Sequence, residues 1–253
     1  MQLVSTVAEW RKLRATYRQG GRRVGFVPTM GALHAGHRSL IEAARRDCDV
    51  VVVSIFVNPL QFDETQDFES YPRPHDADQR LLAAAGVDVV FVPKVSEMYP
   101  NGKNFTVQED ALSRELCGAH RPGHFTGVLT VVLKLLQIAA ADRAYFGEKD
   151  YQQLQLVRGM VAAFFIETEI VGCPTVREPD GLALSSRNTR LSPAERELAA
   201  QFSAILQTAP NTDKAQQQLS AKGFAVDYIE DRAERRLGAV RLGATRLIDN
   251  VTR

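Results

Sequence analysis

The chain has little that would commit it to a disulfide scaffold, a nucleic acid or a membrane. Its 253 residues hold only three cysteines, Cys48, Cys117 and Cys173, far apart and with no CxxC pair. An odd, scattered set excludes a disulfide framework, makes a cysteine zinc site improbable and fits reduced thiols in a cytosolic setting. Cys117 can be read as a nucleophile or as a small buried thiol, the second being the commoner use. Charge of one sign is lacking as well. With 31 Lys+Arg against 30 Asp+Glu, the formal net charge is +1, so there is no general electrostatic footprint for DNA or RNA. The arginines at 232, 235, 236 and 241 sit among Glu230, Asp231 and Glu234 and read as a solvated face. No apolar run is long enough to span a bilayer. The most apolar later stretch, 128–141, is interrupted by Lys134 and Gln137 and is too short. The opening MQLVSTVAEWRKLR is amphipathic and lacks the apolar centre of a signal peptide. These absences predict a soluble, cytoplasmic protein with no nucleic-acid and no membrane partner.

What is present is an ordinary globular composition, 45% apolar and 24% charged, in a chain long enough for one large domain and a small one. Apolar, β-branched runs at 24–27, 50–56, 87–92, 143–146 and 167–171 read as strands covered on both faces. Helical periodicity fills 38–47, 77–85, 127–140 and 152–164 between them. The alternation predicts an α/β fold, a doubly wound, Rossmann-like parallel sheet over 1–174. After Pro174 the texture changes to a charged, glycine-containing segment, then a helix capped by Ser192 and Glu195, a helical stretch at 213–222 and short strands at 225–230 and 246–249. This predicts a smaller C-terminal α+β domain, 175–253, hinged beside Pro174. The stretch 207–214, with Pro210 and Asn211 and no apolar pattern, reads as disordered.

The most informative segment is PTMGALHAGH, from Pro28 to His37. It follows one of the apolar runs and leads into an amphipathic stretch, the order of strand, turn and helix. His34 and His37 are three residues apart, so both imidazoles can lie on one face at a helix start. Gly36 lets a ligand approach the backbone closely. Free N–H groups and the positive end of the helix dipole favour bound phosphate. The chemistry implied is attack at a nucleotide's α-phosphate, with imidazoles steadying the developing charge. A histidine at a helix start is also commonly a cap or a surface group, and this pattern alone does not choose between the two.

Other segments add to it. Asn58 and Gln61, in SIFVNPLQF, offer amides suited to a small polyhydroxylated or carboxylate ligand, or simply mark an Asn-Pro turn. FGEKDYQQ places Glu148, Lys149 and Asp150 after a strand; the lysine can reach a phosphate, and Asp150 can instead cap the next helix. ALSSRN supplies two hydroxyls and an arginine in a loop able to fold over a triphosphate. Asp76 and Asp78, after YPR, can cap a helix or help hold magnesium. Sheet geometry makes 28–37, 58–62 and 147–153 converge on one rim.

In order, PTMGALHAGH, VVVSIFVNPLQF, YPR, MYPNG, RPGHFTGV, FGEKDYQQL, VREPDGLALSSRN and RLIDN make the chain similar, over nearly its whole length, to the pantoate–β-alanine ligase (pantothenate synthetase) family. HAGH resembles the HIGH signature of the wider nucleotidylyltransferase group, and LSSR stands where class I aminoacyl-tRNA synthetases have their flexible KMSKS loop. The resemblance implies a ligase using ATP with Mg2+. Pantoate and ATP would give a pantoyl adenylate and pyrophosphate, and β-alanine would then displace AMP to form pantothenate. It implies catalytic roles for His37 (proton donor), His34 and Lys149. It implies ATP contacts by Met30, Gly31, Ala32, Leu33, His34, Ala35, Gly36 and His37. Further ATP contacts are implied for Gly147, Glu148, Lys149, Asp150, Val176, Leu184, Ser185, Ser186 and Arg187. Gln61, Gln153 and Asn58 would bind pantoate, Gln61 also lying near β-alanine, and Asp76 would be a magnesium ligand. Homodimers are typical of the family, and the resemblance makes 175–253 a lid domain. Two departures stand out: Leu60 in place of methionine, and a C-terminal part that reads as shortened, with little left of an apolar strand before Arg241. The alternatives are another HxGH nucleotidylyltransferase, without VNPLQF, FGEKDYQQ and LSSR together, or a catalytically impaired nucleotide-binding homologue, which would not need intact histidines and Lys149.

Overall fold

Strands that are apolar at every position must be covered on both faces, and crossover helices on a parallel sheet supply that cover. The computed structural model describes residues 1–62 and 68–253 and has this arrangement in its first compact unit, Met1–Gly147 with Gln152–Cys173. Among the described residues six strands are present there: β1 (Gln2–Val4), β2 (Val24–Thr29), β3 (Val50–Ile55), β4 (Val89–Phe91), β5 (Arg143–Gly147) and β6 (Glu169–Cys173). Their order is β1-β4-β3-β2-β5-β6, and every pairing is parallel. The doubly wound α/β expectation holds. Among the described strands of this sheet, β1 falls outside that expectation: its three residues lie inside the amphipathic opening and carry no separate apolar run.

Helices of this unit among the described residues include α1 (Val7–Gln19), α2 (Ala35–Asp47), α3 (His75–Ala84), the short α4 (Val95–Met98) and α5 (Cys117–His120), α6 (His124–Ala139) and α7 (Tyr151–Ala163). Val27, Val51, Val53, Val90 and Tyr145 pack with Leu40, Ile41 and Ala44 of α2 and Leu82 of α3 in one buried cluster. Phe26, Val50 and Val52, one position out of phase, are as fully buried, as side-chain alternation requires. On α1, the single tryptophan, Trp10, is 1% exposed and donates its ring N–H to the Ile138 carbonyl at 2.8 Å. β2 has β3 on one side and β5 on the other. The chain order reverses there, so the carboxyl ends of β2 and β5 flank the crevice where doubly wound sheets bind ligands.

The second compact unit comprises Glu148–Tyr151 and Pro174–Arg253. Its sheet is antiparallel, β7 (Ala225–Arg232), β8 (Arg235–Leu242) and β9 (Thr245–Thr252) in that order. Helices α8 (Pro193–Ala199), α9 (Gln201–Thr208) and α10 (Thr212–Ala221) accompany it. Ser192 caps α8 as expected, its hydroxyl accepting from Glu195 N at 3.3 Å while the Glu195 carboxylate accepts from Ser192 N at 2.8 Å.

Three expectations for this part are corrected. The strand expected to be largely absent is β8, eight residues long and paired on both sides. Arg235, Arg236 and Arg241 lie within it and mask the apolar pattern. The arginine-rich stretch is not uniformly solvated, because Arg236 is 1% exposed. It pairs with Asp231 at 2.8 Å and donates to the carbonyls of Leu206 at 3.2 Å and Ala209 at the end of α9, so its charge is paired inside the core. The stretch 207–214 is ordered: Asn211 Oδ1 accepts from Lys214 N at 2.9 Å and starts α10. Among the described residues, no helix is long and apolar enough to cross a membrane.

Candidate active site

The turn between β2 and α2 takes a backbone path that most side chains disfavour. Gly31 has φ +80° and Ala32 φ +50°, and a non-glycine residue in the left-handed region needs external support. Asp78 of α3 provides it. Its two carboxylate oxygens accept from Ala32 N at 2.9 Å and Leu33 N at 2.7 Å, and the residue is 2% exposed. A Cβ on Gly31 would stand 3.0 Å from the same carboxylate. Asp78 is therefore the clamp of the turn, whereas Asp76 stands exposed in the first turn of α3. Replacing Asp78 by asparagine sets an NH2 against a backbone N–H. A loss of about 2–3 kcal/mol of unfolding free energy is expected, read as a lowered urea midpoint; an unchanged midpoint would mean that other contacts hold the turn.

His34 and His37 form a reciprocal cap at the start of α2. Gly36 N donates to His34 Nδ1 at 3.1 Å, and His34 N donates to His37 Nδ1 at 3.3 Å. The ring centroids are 4.1 Å apart. The cap reading and the phosphate reading of these residues are thus compatible. The expectation of free amides is corrected at His34 and Gly36, whose N–H groups are taken by the rings. An Nδ1 that accepts from a backbone N–H leaves the proton of the neutral imidazole on Nε2. Both rings thereby present a donor on the side away from the cap.

The Asn-Pro turn after β3 is built around Asn58, 1% exposed. Its Oδ1 accepts from the Tyr99 hydroxyl at 2.7 Å and from Leu60 N at 3.3 Å. Its Nδ2 donates to Gly127 O and to Gln61 Oε1, both at 3.1 Å. Burial pushes the Tyr99 hydroxyl above its ordinary range, which keeps it a donor. Asn58 thus has all its bonding capacity engaged within the protein and orients Gln61. The Gln61 amide in turn donates to Met30 Sδ at 2.9 Å, joining the turn after β3 to the turn after β2. The Gln61 carbonyl receives Arg121 Nη2 at 3.3 Å and lies 2.8 Å from His124 Nδ1. Of the glutamine pair on α7, Gln152 is buried and tied to Cys117 N, Leu112 O and Glu115 O, while Gln153 is half-buried.

Within the second unit, Glu148–Asp150 form a single 3-10 turn leading into α7. Lys149 Nζ lies 3.9 Å from the Asp150 carboxylate. The loop before the serine–arginine segment closes on itself, with Glu178 N donating to Leu182 O at 2.8 Å and Leu184 N to Val176 O at 3.0 Å. Ser185 Oγ accepts from Arg187 N at 3.2 Å and starts the 3-10 turn Ser186–Arg190. Arg177 anchors the loop through a two-pronged pair with Asp249, at 2.7 and 3.0 Å, and a bond to Gly181 O at 3.0 Å. Sequence reasoning assigned no role to Tyr99, Arg177, Arg235, Asp249 or Asn250. MYPNG, VREPDG and RLIDN had marked Tyr99, Arg177, Asp249 and Asn250 by resemblance alone.

A family profile described as "Pantoate-beta-alanine ligase" matches residues 2–252. The chain is similar to a pantothenate synthetase of Bdellovibrio bacteriovorus, 50% identical over 240 residues, covering 95% of this chain and 96% of the relative. It is 48% identical over 250 residues to one from Legionella pneumophila (strain Corby), covering 99% of each. The chain is therefore not shortened relative to these two. Among solved structures, a pantoate-beta-alanine ligase from Francisella tularensis complexed with beta-gamma ATP and beta-alanine aligns with a TM-score of 0.95 at 42% identity, over 100% of this chain and 97% of that one. A pantothenate synthetase from Thermus thermophilus aligns at 0.92 and 45% identity, over 100% and 99%.

Proposed function

The chain belongs to the pantoate–β-alanine ligase family, and from that premise we infer how its residues divide the work. It is an ATP-dependent ligase that condenses (R)-pantoate with β-alanine to pantothenate through a pantoyl adenylate. A pantoate carboxylate oxygen attacks the α-phosphorus of ATP, and the bond to the pyrophosphate oxygen breaks. The β-alanine nitrogen then attacks the acyl carbon, the C–O bond to AMP breaks, and the nitrogen gives up a proton. No protein group becomes covalently linked, so the rate comes from positioning and charge stabilisation.

The turn 30–37 binds ATP in this reading, with His34 and His37 donating from Nε2 to phosphate oxygens and His37 as the proton donor. The observation that carries it is the reciprocal cap, which orients both rings and fixes their tautomers. Gln61 and Gln153 bind pantoate, and Asn58 serves the same pocket by holding the Gln61 amide. Lys149 takes phosphate charge, and Gly147, Glu148, Asp150, Val176, Leu184, Ser185, Ser186 and Arg187 complete the ATP contacts. Mg2+ accompanies ATP. Among the described residues no three His, Cys, Asp or Glu side chains gather into a metal cage. A lone exposed carboxylate such as Asp76 fits an ion held mostly by phosphate oxygens and water, whose contribution is to neutralise triphosphate charge. The cysteines, all buried, suit a reducing compartment, so we place the enzyme in the cytoplasm. The resemblance implies a homodimer.

The test is isotope exchange between pyrophosphate and ATP. It is expected with pantoate alone and without β-alanine, and AMP is expected to appear only when β-alanine is added. Formation of ADP and phosphate would overturn the adenylate route.

A further inference from the structure

Two residues before its end, strand β9 carries a polar residue to which the reaction so far assigns no task. Asn250 is 2% exposed, in a place where an amide destabilises the fold unless fully bonded. Its Nδ2 donates to two consecutive carbonyls, Glu148 O at 2.8 Å and Lys149 O at 3.1 Å. Its Oδ1 accepts from Arg235 Nη1 at 2.6 Å. Arg235 in turn donates to the Glu148 carboxylate at 2.7 Å and lies over the Tyr151 ring, 4.6 Å from its centroid. The backbone on both sides of the Lys149 amide is thus fixed from β8 and β9, about a hundred residues later in the chain.

We propose that Asn250 is a positioning residue for Lys149, holding its backbone so that the ammonium meets the phosphates in one place. The inference rests on the reading of Lys149 as an ATP contact. A lysine is a point charge on a flexible four-carbon stem; its head is delivered reproducibly only when its Cα is fixed. Two bonds from one amide to adjacent carbonyls achieve this, since they set the orientation of successive peptide planes. Aspartate has the same size and keeps the acceptor for Arg235, but it presents an oxygen where two carbonyls need a donor.

The experiment is a double-mutant cycle on pantoate-dependent ATP–pyrophosphate exchange with the full chain, using Asn250→Asp, Lys149→Ala and the pair. Displacement of a reacting charge by about an ångström costs roughly 100-fold, so Asn250→Asp is expected to lower kcat/KM for ATP by about 10- to 100-fold. The KM for pantoate should stay the same. In the Lys149→Ala background the same change is expected to cost no more than about threefold, because the group it positions is gone. An equal loss in both backgrounds, or normal exchange by Asn250→Asp where Lys149→Ala is impaired, would overturn the inference and leave the reading of Lys149 intact. Normal exchange by Lys149→Ala would overturn that reading, and the inference with it. Should Asn250→Asp not fold, Arg235→Lys runs the same cycle, since a compact ammonium lacks the planar fork that reaches Asn250 Oδ1 from one nitrogen and the Glu148 carboxylate from the other. A smaller loss, again confined to the Lys149 background, is the supporting result, and an equal loss in both backgrounds the opposing one.

Discussion

Replacing His37 by alanine is expected to slow pantoyl-adenylate formation by about 100- to 1,000-fold, the cost of losing one preorganised donor to a developing oxyanion. The fold should suffer far less. His37 contributes one capping bond, from His34 N to its Nδ1 at 3.3 Å, and a lost cap costs about 1 kcal/mol. The two roles can be separated. His37→Asn retains a short side-chain acceptor for the cap but has no atom that reaches where Nε2 stands. Stability close to that of the parent with the same loss of rate is therefore expected from His37→Asn. Single-turnover pyrophosphate release checks the rate, and a urea melt checks the fold. Near-normal adenylation by His37→Asn would mean that the histidine serves only as a cap.

The second large effect is expected at a glycine that carries no chemistry. In α6, a Cβ on Gly127 would lie 2.1 Å from Leu60 O, 2.4 Å from Leu60 C and 2.7 Å from Gln61 N. All three are backbone atoms, so no side chain can turn aside. Gly127→Ala must push α6 away from the turn that carries Asn58 and Gln61, and it breaks the bond from Asn58 Nδ2 to Gly127 O. Overpacking of this kind costs about 1–3 kcal/mol, occasionally more. A Gln61 displaced by about an ångström should lower kcat/KM for pantoate by roughly 100-fold. The KM for ATP should move less, since the cap of α2 is untouched and the displacement reaches the ATP turn only through the Gln61 bond to Met30 Sδ. Titrating pantoate at saturating ATP in the exchange assay reads this out. An unchanged pantoate dependence would show that Gln61 does not contact pantoate.

These two positions also show what could be read from the sequence. The strand–turn–helix of PTMGALHAGH is local: apolar strand, left-handed glycine and capping histidines lie within fourteen residues of chain, so pattern alone finds them. The parallel sheet is legible for the same reason, since its strands are apolar on both faces. The supports of the site are not local. Asp78 clamps Ala32 across 46 residues, Gly127 meets Asn58 across 69, and Asn250 reaches Glu148 across 102. A carboxylate, a glycine and an amide have many ordinary uses, and only the folded chain shows which apply. β8 escaped detection for a different reason. Its arginines look like a surface, yet Arg236 is buried against Asp231 and the end of α9, an arrangement that sequence periodicity cannot represent.

The bond from Asn250 to Glu148 also bears on how the enzyme is made. Glu148–Tyr151 leave the ribosome with the parallel sheet, but they pack with a unit whose last strand is synthesised about a hundred residues later. Closing so long a loop is slow compared with forming neighbouring helices and strands. A nascent chain released before Asn250 would retain the histidine turn and the Gln61 turn, which on the proposed reading could still sequester nucleotide or pantoate. Its lysine would have no fixed seat. Adenylation competence would therefore arrive late in synthesis, after the first unit has had time to fold, and premature termination near the end should yield inert binders.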